Sequence, residues 1–238
     1  MAGPTFLIIA IVVFEALFES FVDWLNLKSV DPKLPAEFQG LYDEARYEKS
    51  QLYLKENTRF GFFSRAVSAV LLIAAVLLGI FNYADQLARS LTESPVAAGL
   101  IFVGLLGAAS WLAGLPFSIY STFVIEEKYG FNRTTRKTFI VDQLKGALLG
   151  VLIGAPVAAL VFWFFESAGS LAWLWVWVSV TVIQLVMMFI APVVIMPLFN
   201  KYTPLPAGEL RTQIESFASK ENFKLEGIFT MDGSKRST

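Results

Sequence analysis

Three carboxylates, Glu15, Glu19 and Asp23, recur every four residues near the start of the chain and so share one helix face. The run around them is apolar, and carboxylates at membrane depth are costly and usually face a protein interior or water. They are read as an acidic stripe lining a polar cavity. The plainer reading places Asp23 and Glu19 at headgroup level and buries Glu15 alone. Acid pairing for intramembrane aspartyl proteolysis is rejected, because Asp142, near a helix end, is the only other candidate at depth. A second constellation is basic. Arg133, Arg136 and Lys137 are spaced i, i+3, i+4 and present one cationic face, suited to the carboxylate of a peptide terminus or a lipid phosphate. Simple anchoring of the chain at the membrane surface explains the same face. Lys235 and Arg236 add two further candidate contacts near the end, in a Gly-Ser-Lys-Arg-Ser-Thr stretch too short to identify as a phosphate cradle.

What is missing is equally informative. The chain has no His and no Cys, so a Ser-His-Asp triad, a thiol nucleophile, a haem ligand and a His/Cys zinc site cannot be built from these residues. No Walker loop, dinucleotide fingerprint or metal-ligand spacing occurs.

The elements that must position these groups are membrane helices. Of 238 residues, 55% are apolar and 16% charged, against the roughly 25% charge usual for soluble domains. Nineteen Lys and Arg nearly cancel twenty Asp and Glu, so no global field points to nucleic acid. Five stretches reach the roughly 20 apolar residues that a crossing needs: about Thr5 to Leu25, Phe62 to Tyr83, Val96 to Ile125, Leu144 to Phe165, and Leu171 to Phe199. This patterning excludes a soluble enzyme. Glu15 and Glu19 interrupt the first run, which also lacks a basic leader and a small-residue exit, so it is not a cleavable signal. Basic residues alternate rich, poor, rich, poor, rich along the connections, from Lys28 to Arg59, then Arg89 alone, then Lys128 to Lys137, none, and Lys201 to Arg236. That alternation places the N-terminus outside and the tail in the cytosol.

The expected fold is all-α and integral to the membrane: a bundle of five transmembrane helices, with amphipathic cytosolic helices and a short C-terminal helix plus strand. Pro116, Pro156, Pro192 and Pro197 are expected to kink spans three to five. Asp43 to Asn57 reads as an amphipathic helix leading into the second span. Gly130 suits the left-handed residue after a helix, and Asn132 the cap of the next. In the tail, Glu209 to Lys220 is expected as a helix with one buried stripe, and Leu225 to Met231 as a strand before an Asp232-Gly233 turn. A helix and one strand cannot make a core. Residues 1–199 are thus read as the membrane bundle and 200–238 as the start of a cytosolic domain whose remainder is absent.

Four stretches carry a family resemblance. Gly114-Leu-Pro-Phe-Ser-Ile-Tyr-Ser-Thr-Phe-Val-Ile-Glu-Glu-Lys-Tyr-Gly-Phe-Asn132 closely resembles the third-helix signature of the type I CAAX prenyl proteases, which are integral-membrane zinc metalloendopeptidases. Glu48-Lys-Ser-Gln-Leu-Tyr53, Pro197-Leu-Phe-Asn-Lys-Tyr-Thr-Pro-Leu-Pro206 and Gly233-Ser-Lys-Arg-Ser237 match in the same order. The resemblance implies zinc in the full-length parent, held by a His-Glu-x-x-His helix and a distal Glu beyond Thr238. No zinc ligand, general base or catalytic residue is therefore assigned within this chain. It also implies two later helices, making seven around a water-filled chamber into which the acidic face of helix one would look. The partners implied are the bilayer, the missing C-terminal catalytic half, and a prenylated or membrane-associated peptide. The location implied is a bacterial plasma membrane or, in a eukaryote, the endoplasmic reticulum. The chain is expected to be a fragment, inactive alone. Two rivals are weighed: a small transporter relaying protons through Glu15 or Glu19, and a membrane scaffold that never had a catalytic half.

Overall fold

The structure, a computed structural model, describes residues 3–236, so Ser237 of the last motif and Thr238 lie outside the described residues. The chain divides into two compact units, Met1–Asn132 with Ala158–Glu166, and Arg133–Val157 with Ser167–Thr238.

In the first unit, helix α1 (Gly3–Ser29) carries the acidic stripe. Lys28 sits in its last turn, where a cation complements the helix dipole, with its ammonium 3.7 Å from the Trp24 ring centre. Helix α2 (Glu44–Leu77) starts at Asp43, whose carboxylate accepts from the Arg46 amide at 2.8 Å. The expected amphipathic segment and second span are thus one continuous helix of 34 residues. At 1.5 Å per residue it is about 50 Å long, so several turns must project beyond a hydrocarbon core of about 30 Å. The helix stops at Leu77 rather than running on to Tyr83, because Gly79 takes a left-handed φ of 71°. Helix α3 (Ile80–Leu91) follows and packs on α4 (Pro95–Tyr120) through the buried alanines Ala84, Ala88 and Ala98. Small residues let helix backbones approach closely, which is how helices associate where apolar surface gains nothing by leaving lipid.

Helix α4 runs directly into a π-helix over Ser121–Glu126, and the two make one apolar stretch of 32 residues. Pro116 lies inside α4 and leaves the Leu112 carbonyl without its usual donor.

Helix α5 (Arg136–Ser167) contributes to both units and contains Pro156. Its first turn is capped by Thr135, whose hydroxyl accepts from the Thr138 amide at 3.1 Å. Asn132, the expected cap, instead donates its side-chain amide to Glu127 at 3.0 Å. In the second unit, α6 (Ala172–Ile190), a π-helix over Ala191–Ile195 and α7 (Met196–Phe199) form the last span. Pro192 lies inside the π segment. The tail holds strand β1 (Tyr202–Pro204), helix α8 (Glu209–Lys220) and strand β2 (Phe229–Met231). Helix α8 coincides with the expected helix, but its apolar stripe is not buried: only Ala218 is, while Leu210 and Phe217 are exposed. Strand β1 was not expected, and it gives β2 an antiparallel partner in the register Tyr202↔Met231, Thr203↔Thr230, Pro204↔Phe229.

Among the described residues, five helices are long and apolar enough to cross a membrane. Large apolar side chains are exposed along them, Phe14 and Met188 each at 68%, as suits a surface solvated by lipid. Where helices do meet, contacts are tight. A Cβ built on Gly99 of α4 would lie 2.7 Å from the Phe162 ring of α5. Gly99→Leu is expected to cost about 1–3 kcal/mol by overpacking and to lower the melting temperature in detergent micelles. Gly104→Leu, built into open space on the same helix, should leave melting close to wild type.

Candidate functional site

The four family-like stretches assemble into two clusters. In the first unit, Glu48–Tyr53 of α2 meets the end of the Gly114–Asn132 stretch. That end is turned by a Schellman motif: the Phe131 amide donates to the Glu126 carbonyl and the Gly130 amide to the Glu127 carbonyl, both at 2.9 Å, with Gly130 at φ 66°. The turn delivers Lys128 and Tyr129 to one acceptor. Lys128 Nζ lies 2.5 Å from Glu56 Oε2, and the Tyr129 hydroxyl donates to the same oxygen at 2.7 Å. The hydrogen bond to Glu56 holds the Tyr129 phenol and the Lys128 ammonium above their ordinary values. Tyr53 packs edge-on against both Tyr129 and Phe131, with ring centres 5.5 and 4.9 Å apart.

In the second unit, Pro197–Pro206 meets the stretch that begins at Gly233. The Lys201 amide donates to Asp232 Oδ1 at 2.8 Å, the Leu205 amide to the Ile228 carbonyl at 2.8 Å, and the hydroxyls of Thr203 and Thr230 bond at 2.7 Å. Arg236 closes the cluster. Its guanidinium donates to both oxygens of Asp142, at 2.7 and 3.0 Å, to Asn200 Oδ1 at 2.5 Å and to the Phe199 carbonyl at 2.8 Å. Lys145 donates to the neighbouring Leu198 carbonyl at 2.7 Å. The last carbonyls of a helix lack internal donors, and these two cations supply them. The Asp142 hydrogen bond also holds the Arg236 guanidinium above its ordinary value, fixing its charge.

The acidic stripe lies in the first unit, against α2. Asp23 pairs with Arg65 at 2.8 Å, and Arg65 donates to the Ser20 hydroxyl at 3.2 Å. Glu15 and Glu19 are exposed and line a cleft of about 190 Å³ together with Arg65 and Ser68. Arg65 escaped the sequence reading, though a lone arginine inside an apolar run signals a partner across the helix interface. Asn200 was read only as part of the Pro197–Pro206 stretch and given no role, since a neutral amide carries no charge signal. Arg133, Arg136, Lys137 and Lys235 are exposed and form no ion pair among the described residues. Arg236 differs from them, since four of its donor bonds end on the protein itself.

Comparison with known proteins places the arrangement. The family model described as CAAX prenyl protease N-terminal, five membrane helices, matches residues 23–201. The chain is 34% identical over 241 residues to the CAAX prenyl protease 1 homolog of Arabidopsis thaliana, covering 97% of this chain and 56% of that protein. It is 35% identical over 232 residues to CAAX prenyl protease 1 of Saccharomyces cerevisiae, covering 93% and 51%. The crystal structure of S. mikatae Ste24p superposes with a TM-score of 0.91 at 35% identity, over 100% of this chain and 56% of that one. The chain belongs to the CAAX prenyl protease family and corresponds to its N-terminal membrane portion. It spans about half the length of these relatives.

Two outcomes follow from the clusters. Asp23→Ala leaves Arg65 without the carboxylate that holds it, both side chains being about a quarter exposed, and should cost about 1–3 kcal/mol. In an Arg65→Ala background the same substitution should cost clearly less, read from thermal unfolding of all four proteins. The second outcome concerns pH. Groups whose folded pKa is raised stabilise fully below their ordinary value and lose that contribution as pH climbs through the raised one. The melting-temperature gap between wild type and Glu56→Gln should therefore be steady from about pH 6 to 9 and close above about pH 10.5.

Proposed function

We propose that this chain forms part of an intramembrane chamber in a zinc metalloendopeptidase acting on prenylated or membrane-associated peptides. The observation that carries the reading is the pairwise assembly of all four family-like stretches, one pair in each compact unit. Spacing alone does not require those stretches to meet. Their contacts give each a physical reason to be what it is.

Zinc does not fit the residues present. The chain has neither His nor Cys, and among the described residues no group of three or more Asp or Glu is gathered to hold a metal. The work of this chain is to hold and to orient. Glu15, Glu19 and Asp23 line the chamber, and the first two face an open cleft rather than a packed interface. Carboxylates there keep water in the chamber, which peptide hydrolysis consumes. Arg133, Arg136, Lys137 and Lys235 offer unpaired cations for a peptide carboxylate or a lipid phosphate at the cytosolic surface, and the apolar spans accept a prenyl chain. The protein is proposed to be multi-pass, with its N-terminus outside and its tail cytosolic.

The test is peptide cleavage in detergent or vesicles. The full-length protein should release the C-terminal tripeptide from a farnesylated CAAX peptide, and a zinc chelator should abolish that release. The 238-residue chain alone should release none. Chelator-sensitive cleavage by the isolated chain would contradict this division of labour.

A further inference from the structure

The site where Arg236 lies is not a surface for ligands but a junction. Its guanidinium reaches Asp142 on α5 and both Phe199 and Asn200 at the end of the last span. Its own carbonyl accepts from the Arg133 amide at 3.0 Å and the Thr134 hydroxyl at 3.3 Å. One residue just beyond β2 thus touches the approach to α5, the first turns of α5 and the terminus of α7. The Asp142 contact is bidentate, which fixes direction as well as distance, and a lysine cannot reproduce it. Three quarters of each side chain in the pair is shielded from solvent. The β1–β2 pair, connected through α8, is two three-residue strands, too small to hold an orientation unaided.

We propose that Arg236 is a positioning residue: it ties the paired strands β1 and β2 to the ends of α5 and α7, so that the backbone through residue 236 is held in one fixed register to those spans. Resting on the protease reading above, this register aligns the catalytic portion with the peptide held by the spans. Arg236 touches no substrate in this role. It acts through the backbone it anchors.

Loss of positioning and loss of general stability give different readouts. In full-length protein reconstituted in lipid nanodiscs, Arg236→Gln and Asp142→Asn should each lower kcat on a farnesylated CAAX peptide by about 10- to 100-fold, as small misplacements do, with KM within about 3-fold. The double variant should be no worse than the worse single one, and Arg236→Lys should recover only part of the loss. Zinc content should stay at the wild-type level. Losses that multiply in the double variant, a rise in KM at unchanged kcat, or single-variant losses below about 3-fold would overturn the proposal. If wild-type protein cleaves nothing, the protease reading fails, and hydrogen exchange on the 238-residue chain decides the clamp separately. Amides of 229–236 should then exchange at least about 10-fold faster in both variants while those of α8 do not change, and unchanged exchange in 229–236 would sink it.

Discussion

A lipid interior offers backbone amides no hydrogen-bond partner, and nearly everything in this structure follows from that. Each crossing must satisfy its own N–H and C=O groups, so the apolar runs can only be helices. Side chains on those helices gain nothing by leaving one apolar medium for another, which is why so many large residues stay exposed and so few are buried. Close approach at small residues, as at Ala84, Ala88, Ala98 and Gly99, does the packing instead.

The constraint relaxes where helices end, and there the polar chemistry gathers. Helix termini carry unpaired carbonyls, and any cation near them acquires both a hydrogen bond and a favourable dipole. Lys145 and Arg236 take those places at the end of the last span. At the end of the third, the Schellman turn satisfies the carbonyls and throws Lys128 and Tyr129 toward Glu56. Both π segments also sit at the ends of their spans, and π-helical turns often mark functional positions. Polar residues deep in the helices are few, and the Arg65–Asp23 pair is the described ion pair that joins α1 to α2.

Much of this was legible in the sequence, for physical reasons that differ element by element. The spans were readable because hydropathy over twenty residues is a strong signal, and α8 because its apolar stripe repeats at helical spacing. Gly130 announced its left-handed turn. The continuity of α2 was not readable, since a charged amphipathic stretch and an apolar one look like two elements when nothing marks the absence of a break between them. Gly79, which does break the chain, is one of several glycines in apolar context and carries no local sign of its conformation. Strand β1 was hidden because three residues ending in a proline say nothing until a partner pairs with them. The role of Asp142 was hidden too, because its partner Arg236 lies 94 residues away.

Because the chain contains no cysteine, its threading through a bilayer can be read one position at a time. Single cysteines at Gln39, Glu93, Asn132, Gly169 and Gly208, each at or beyond the end of an apolar span, would be offered to a membrane-impermeant maleimide in sealed, oriented vesicles. Labelling should fall on one face for Gln39, Asn132 and Gly208 and on the other for Glu93 and Gly169. Labelling of all five from a single face would contradict the five-crossing arrangement on which the account stands.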